Sequence, residues 1–217
     1  MSEGSIPAGE RMNALLAEAG LDTVDSALGG QFEAYLSLIL RWNARVNLTA
    51  IRDEEAILSR HFVESILCAR ALSAGIATLL DFGSGAGFPG IPIALCRPEI
   101  AVTLAESQGK KAAFLQEAVR ILGLGISAKV HAQRAESLSA QFDCVTLRAV
   151  DRMPQAVKAA SRLVAPHGWL ALMTTRAELA GLQTIAGAAF SWPKMLALPG
   201  SADRLLALGE RKISSPA

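Results

Sequence analysis

The chain has 217 residues, 51% of them hydrophobic, and a formal net charge of +1. That length and apolar content suit one packed α/β domain with a small appendage and exclude a disordered or fibrous chain, while the near-zero charge excludes a protein that coats nucleic acid by bulk electrostatics. The uncharged stretches 82–96 and 179–193 are short for a bilayer span and broken by Gly or Pro, and the start MSEGSIPAGER lacks the basic-then-apolar order of a secretory leader, so a cytoplasmic protein without membrane segments is expected.

Taken in chain order, residues 8–72 repeat apolar side chains at helical spacing, first Met12, Leu15, Leu16 and Ala19, then Phe32, Leu36, Ile39 and Leu40. Gly20 and the pair Gly29-Gly30 are expected to separate these helices. A third is predicted to begin at Asp53, a good cap followed by Glu54 and Glu55, and to run through Phe62 and Ile66. Residues 1–72 therefore read as a small helical N-terminal domain.

From Thr78 short apolar runs alternate with helical stretches: TLLDF, AVTLAE, SAKVHA, FDCVTL and GWLALMTT, with Lys110–Leu122 and Pro154–Leu163 long enough to be crossover helices. Such alternation implies a parallel sheet with right-handed crossovers. FSWPKMLAL and DRLLALGERKIS, joined by Pro199-Gly200-Ser201, leave no room for a helix and read as an antiparallel hairpin. The fold expected for 73–217 is thus α/β and Rossmann-like: a mostly parallel sheet ending in an antiparallel hairpin, as in class I methyltransferases.

Cys68, Cys96 and Cys144 lie far apart among apolar neighbours with no Cys-x-x-Cys spacing, and His61, His131 and His167 are equally scattered. Buried reduced thiols and no metal site are expected. Charge is uneven: residues 1–72 carry 6 Lys and Arg against 10 Asp and Glu, and residues 73–217 carry 15 against 10. The larger part could present a local basic surface to an anionic partner or simply a solvated face.

The strongest local signal is LLDFGSGAGFPGIPIAL, a strand ending at Phe82 that runs into Gly83, Gly85 and Gly87 and then a helix whose first turn can hold Pro89 or Pro92. Glycines there admit close backbone approach to a ligand, and a helix N-terminus offers N–H groups to an anion. Gly85, Gly87 and Gly90 also fit the G-x-G-x-x-G spacing of dinucleotide sites, so a nicotinamide-dependent reductase shares this reading. Asp81, at the strand end, would repel a pyrophosphate and suits a cofactor carrying an ammonium and a sulfonium, namely S-adenosylmethionine. Glu106 ends the next strand, where a carboxylate can accept both ribose hydroxyls. Ala135 and Glu136 follow the third strand and are placed to border an adenine or to form a surface loop. Arg148 ends the fourth strand, where it lines the cleft, with a salt bridge to Asp151 as the plainer alternative.

With these residues in place, the chain resembles the small-subunit ribosomal RNA guanine-N7 methyltransferase family, the glucose-inhibited-division-protein-B type, from about Tyr35 to Arg148. The resemblance rests on RWNARVNLTAIRD at 41–53, RHFVES at 60–65, the glycine turn at 79–95, LAESQGKKAAFL at 104–115, RAE at 134–136 and RAV at 148–150. It implies a helical cap on a methyltransferase domain acting on a guanine N7 of 16S rRNA in the small ribosomal subunit. It places the family's cofactor contacts on Gly83, Phe88, Ala135, Glu136 and Arg148, and a monomer is expected. N7 presents a lone pair, so no catalytic base is required. Phe88, Trp42 and Arg148 are candidates to stack an extruded guanine; Phe88 and Trp42 are otherwise plain core residues, and for Trp42 core is the better reading. Arg41, Arg45, Arg52 and Arg60, with Lys110 and Lys111, could face the RNA or form surface salt bridges with Asp53, Glu54 and Glu55. The chain departs from the family at His167-Gly168 and Thr174-Thr175, where members show Gly-Gly and then Lys-Gly, so the cation of that position would come from Arg176, Lys110 or Lys111. A non-catalytic rRNA-binding assembly factor on the same fold is the remaining alternative.

Overall fold

A computed structural model describes residues 6–212. Three helical runs precede the sheet: α1 (Ala8–Glu18), α2 (Ser26–Asn43), and a third in which α3 (Glu54–Ile57) passes through a π-helical stretch at Leu58–Val63 into α4 (Glu64–Ala71). The third starts where predicted, with the Asp53 carboxylate accepting from Ala56 N at 2.8 Å. The expectation for Gly29-Gly30 is corrected: both lie inside α2, which begins earlier because Asp25 caps it by accepting from Leu28 N at 2.8 Å. Gly29 serves a helix crossing instead. A Cβ on Gly9 of α1 would sit 3.2 Å from the Gly29 Cα, so only small residues let the two helices approach this closely.

The sheet contains β1 (Thr78–Phe82), β2 (Ala101–Ala105), β3 (Ala128–His131), β4 (Phe142–Arg148), β5 (Val164–Thr175), β6 (Phe190–Ala197) and β7 (Arg204–Arg211), in the order β3-β2-β1-β4-β5-β7-β6. The first five are mutually parallel, and β7 runs antiparallel to both β5 and β6. The terminal hairpin is therefore present, and its second strand is the inner one; Ile213 and Ser214, at the end of the expected strand, lie outside the described residues. The crossovers are α5 (Gly90–Cys96), α6 (Gly109–Ile121), α7 (Met153–Leu163) and α8 (Arg176–Ala186).

Two apolar layers sandwich the sheet. On one face α5 and α6 join the N-terminal helices, so Met12, Leu16, Tyr35 and Phe62 share one continuous core with Leu79, Leu104 and Phe114. On the other, Leu80, Val145 and Leu170 pack with Val157 and Leu182 of α7 and α8. Tyr35, Phe62 and Phe114 are fully buried, and each contributes roughly 2–3 kcal/mol of transfer free energy. Strand order reverses between β1 and β4, and ligands of open α/β sheets bind at the carboxyl ends of strands flanking such a reversal.

Candidate active site

The turn leaving β1 is held by two buried acids. Gly83, Gly85 and Gly87 adopt φ of +72°, +56° and +89°, values that L side chains strongly disfavour. Asp81, 1% exposed, lies beneath the turn. Its carboxylate accepts from Gly90 N at 3.2 Å and from the Thr146 hydroxyl at 2.9 Å. Glu106, 7% exposed, accepts from Gly85 N at 3.0 Å and from Gln108 N at 2.7 Å. A Cβ on Gly90 would fall 2.6 Å from the Asp81 carboxylate, and one on Gly87 2.5 Å from Tyr35 Oη. Gly85 is different: only the Gly83 carbonyl, at 3.9 Å, lies within 4 Å of its Cβ position. The backbone is thus open to a ligand at Gly85 and packed elsewhere. The start of α5 is not free, since Gly90 N is taken by Asp81 and Ile91 N donates to Gly87 O at 2.8 Å.

Arg148, at the end of β4, is the junction between sheet and helical cap. One of its nitrogens donates to the Arg60 carbonyl, to His61 Nδ1 at 2.9 Å and to Glu64 at 3.2 Å. Its partner is therefore Glu64, 1% exposed, rather than Asp151. The other oxygen of Glu64 pairs with Arg204, the first residue of β7. Because a guanidinium only donates, His61 Nδ1 must accept, and its Nε2–H donates to the Thr49 hydroxyl at 2.8 Å. His61 stacks on Phe88 at 4.8 Å between centroids. Thr49 is positioned by Asn43, whose side-chain oxygen accepts from Leu48 N and Thr49 N, while Arg52 bridges the Asn43 carbonyl and Asn47. The segments 41–53, 60–65 and 148–150 thus meet at one point. Beyond Arg148 the chain turns sharply through Ala149 and Arg152, at φ +48° and +54°. Val150 there packs 3.2 Å from where a Cβ on Gly83 would be.

The other expected residues divide into two sets. Ala135, 5% exposed, and the exposed Glu136 form a 3₁₀ turn after β3, on the same sheet edge. Phe88 is 6% exposed among Tyr35, Phe62 and His61, so it is core rather than a free stacking platform. Trp42 packs on Phe114 and donates to Glu117 at 2.8 Å. Exposed Lys110 and half-buried Lys111 open α6. Arg41 and Arg45 line a shallow groove with Trp42, Val46 and Glu117. Arg41 pairs with Glu117 at 2.6 Å, whereas Glu54 and Glu55 are engaged by Arg11. Thr175 caps α8 by accepting from Glu178 N at 3.3 Å, and the Thr174 and Thr175 hydroxyls both donate to Glu178, a helix cap with no cation in it. Sequence reasoning missed Glu64 and Arg204. The one available signal was that Arg204 opens a strand expected to pair with the sheet.

Burial raises the Asp81 carboxyl to about 6, and burial together with the Arg148 and Arg60 charges lowers His61 to about 3. The signs oppose each other. Asp81 takes up protons more readily folded than unfolded, so its contribution favours folding as pH falls from about 6 to about 4. His61 takes them up less readily folded, so its contribution opposes folding by about 1.4 kcal/mol per pH unit below about 6.5. Glu64, raised by burial, acts in the sense of Asp81. Asp81→Asn is therefore expected to make thermal stability fall more steeply between pH 6 and 4, and His61→Gln to make it fall less steeply, as read by melting temperature across that range.

Among the described residues no group of three or more His, Cys, Asp and Glu is placed to hold a metal ion, and no helix is long and apolar enough to cross a membrane. Cys68 and Cys144 are buried and Cys96 only half-buried, all three free.

Strand order, the braced glycine turn after β1, a carboxylate after β2 and the antiparallel last strands define a class I methyltransferase fold. Solved structures agree at that level: a SAM dependent methyltransferase from Aquifex aeolicus superposes with TM-score 0.57 at 16% identity, covering 72% of this chain and 93% of that one. A predicted O-methyltransferase from Agrobacterium tumefaciens gives 0.59 at 17%, covering 70% and 81%. Within that class, the chain belongs to the rRNA small subunit methyltransferase G family, whose model matches residues 29–189. A Stenotrophomonas maltophilia protein named ribosomal RNA small subunit methyltransferase G is 42% identical over 80% of this chain and 81% of its own length. A Roseiflexus protein of the same name is 44% identical over 64% and 61%. The nicotinamide-dependent reductase reading of the glycine spacing is thereby set aside.

Proposed function

We propose that the chain transfers a methyl group from S-adenosylmethionine to N7 of a guanine in 16S rRNA of the small ribosomal subunit, in the cytoplasm. The observation that carries the reading is a row of groups along one sheet edge. The order β3-β2-β1-β4 lines up, in sequence, the Ala135-Glu136 turn, Glu106, the glycine turn and Arg148. Four adjacent strands span about 14 Å, the scale of an extended adenosyl amino acid. The residues fit that cofactor. Open space at Gly85 admits close approach, and each Glu106 oxygen keeps a lone pair for a ribose hydroxyl beyond the N–H it already accepts. Gly83, Gly87 and Phe88 shape the turn, Asp81 holds it from below, and Arg148 closes the far end.

When bound, the cofactor supplies an electrophilic methyl group on a sulfonium. The chain's own part is alignment and charge placement. Guanine N7 offers its lone pair without deprotonation. The site agrees with chemistry that needs no base: His61 has both nitrogens engaged and stays neutral, and both oxygens of Glu64 face arginines. The helical cap up to residue 72 faces the substrate, with Arg41 and Arg45 as outer RNA contacts and Lys110 and Lys111 beside the cofactor row.

Nucleoside mass spectrometry of 16S rRNA from cells with and without the protein tests the reading. Loss of one N7-methylguanosine is expected, and an unchanged digest, or loss of a different modified nucleoside, overturns it. Replacing both Arg41 and Arg45 with Ala is expected to weaken binding of small subunits several-fold and leave cofactor affinity unchanged in calorimetry. Unchanged subunit binding would remove that groove from the RNA surface.

A further inference from the structure

Glu64 is a single buried carboxylate shared by Arg148 and Arg204, and the Arg60 charge also acts on it. His61 beside them is neutral, and the next carboxylate, Asp81, is committed to Thr146 and Gly90 beneath the turn. Two guanidinium groups thus share one acid, and among the described residues no second carboxylate pairs with either of them. Arg148 Nη1 is buried without a hydrogen-bond partner, and Glu64 Oε1 meets Arg204 as an ion pair only, although buried polar atoms normally find a hydrogen-bond partner. An excess of partly desolvated positive charge is stabilised by an incoming anion.

Arg204 is placed to receive one. It stands in register with Thr175, the last residue of β5, and so on the cleft edge of the sheet. Its side chain is 20% exposed. Glu64 contacts Nη1 only, and the fork carries further donors suited to bidentate phosphate recognition. The neighbouring end of β5 offers no cation, since the Thr174 and Thr175 hydroxyls are spent on Glu178. Arg176, the cation expected there, instead donates to the Ala202 carbonyl. Tethering also favours Arg204: Lys194 of β6 donates to the Ala71 carbonyl at 3.1 Å, which holds the hairpin against α4.

We propose that Arg204 binds a backbone phosphate of the RNA substrate at the inner end of the cleft, with Glu64 as the residue that positions it. This rests on the rRNA methyltransferase reading. The phosphate displaces no existing bond, because the free edge of the fork meets it while Nη1 stays on Glu64. Arg148 remains with the cofactor row, so the two arginines divide the cleft between nucleic acid and cofactor.

The test is steady-state methylation of purified small subunits at several salt concentrations, with calorimetry of S-adenosylmethionine alone, for wild type, Arg204→Gln, Arg204→Lys and Glu64→Gln. For Arg204→Gln, KM for the subunit is expected to rise roughly tenfold, as for loss of one charged hydrogen bond, and the slope of log KM against log salt to shrink by about one phosphate contact. Cofactor affinity should stay within twofold, because Arg148 still pairs with Glu64. Arg204→Lys should recover part of the KM and the full salt slope. Glu64→Gln should raise KM for the subunit and weaken the cofactor together, since it releases both arginines. An unaltered KM and salt slope in Arg204→Gln, or a loss of cofactor affinity equal to the loss of subunit affinity, overturns the proposal. If wild type binds the cofactor yet leaves subunits unmethylated, the methyltransferase reading itself fails, which is a different result from a fully active Arg204→Gln.

Discussion

Gly85→Val is expected to abolish detectable cofactor binding in calorimetry and with it methylation, while the protein still folds. Gly85 sits at φ +56° with open space where a side chain would project. Valine would fill that space from the ligand's side and bring its branched Cβ into a left-handed conformation, a strain of about 1–3 kcal/mol. For a chain of this size that is a fall of a few to about 10 °C in melting temperature, much less than the effect on binding. Gly87 makes the useful contrast. There a Cβ would strike Tyr35 Oη and Ile91 Cδ1, each at 2.5 Å, so Gly87→Val should fail first in stability. A Gly85→Val protein with undiminished cofactor affinity would place the ligand somewhere other than this turn.

Arg148→Ala is expected to be the most damaging single change at the cleft. The side chain supplies donors to the Arg60 carbonyl, His61 and Glu64 at once, and breaking a buried ion pair by removing one partner costs about 3–5 kcal/mol. Retention of Arg204 on Glu64 should keep the loss toward the lower end, about 10 °C in melting temperature. Methylation should drop by more than about 100-fold, from loss of the proposed cofactor contact together with a loosened cap. Arg148→Lys should recover only part of this, because all three acceptors surround one guanidinium nitrogen that the shorter, differently hydrated ammonium does not reproduce in position. His61 gives a local readout: with the Arg148 charge gone its pKa should rise from about 3 toward the ordinary range, measurable by NMR titration. A protein whose His61 titration and activity survive Arg148→Ala would remove this junction from the mechanism.

What the sequence could and could not show follows from the range of each interaction. The glycine turn was legible because positive φ at residues 83, 85 and 87 is a local demand that glycine meets. The five parallel strands were legible because strands buried on both faces are continuous apolar runs. Gly29-Gly30 misled because its role is a close approach to Gly9 on another helix, which spacing along one helix does not reveal. Asp81 was seen as an acid at a strand end, but whether it faces the ligand or props the turn depends on Thr146 in a neighbouring strand. Glu64 and Arg204 come from opposite halves of the chain and meet only after folding, and a glutamate within RHFVES looks like an ordinary helix residue. Of the two roles open to Phe88, stacking platform or core, folding selects core for the same reason, since Tyr35, Phe62 and His61 all arrive from the cap.

The placement of β7 between β5 and β6 bears on how the molecule matures during synthesis. The edge of β5 stays unpaired while β6 leaves the ribosome, because β6 docks only through its later neighbour. Closing that edge and delivering Arg204 to Glu64 are a single event, so the Glu64–Arg204 pair forms only when β7 has docked. A chain made only as far as β6 would hold the glycine turn but lack Arg204 at the carboxyl edge of the sheet.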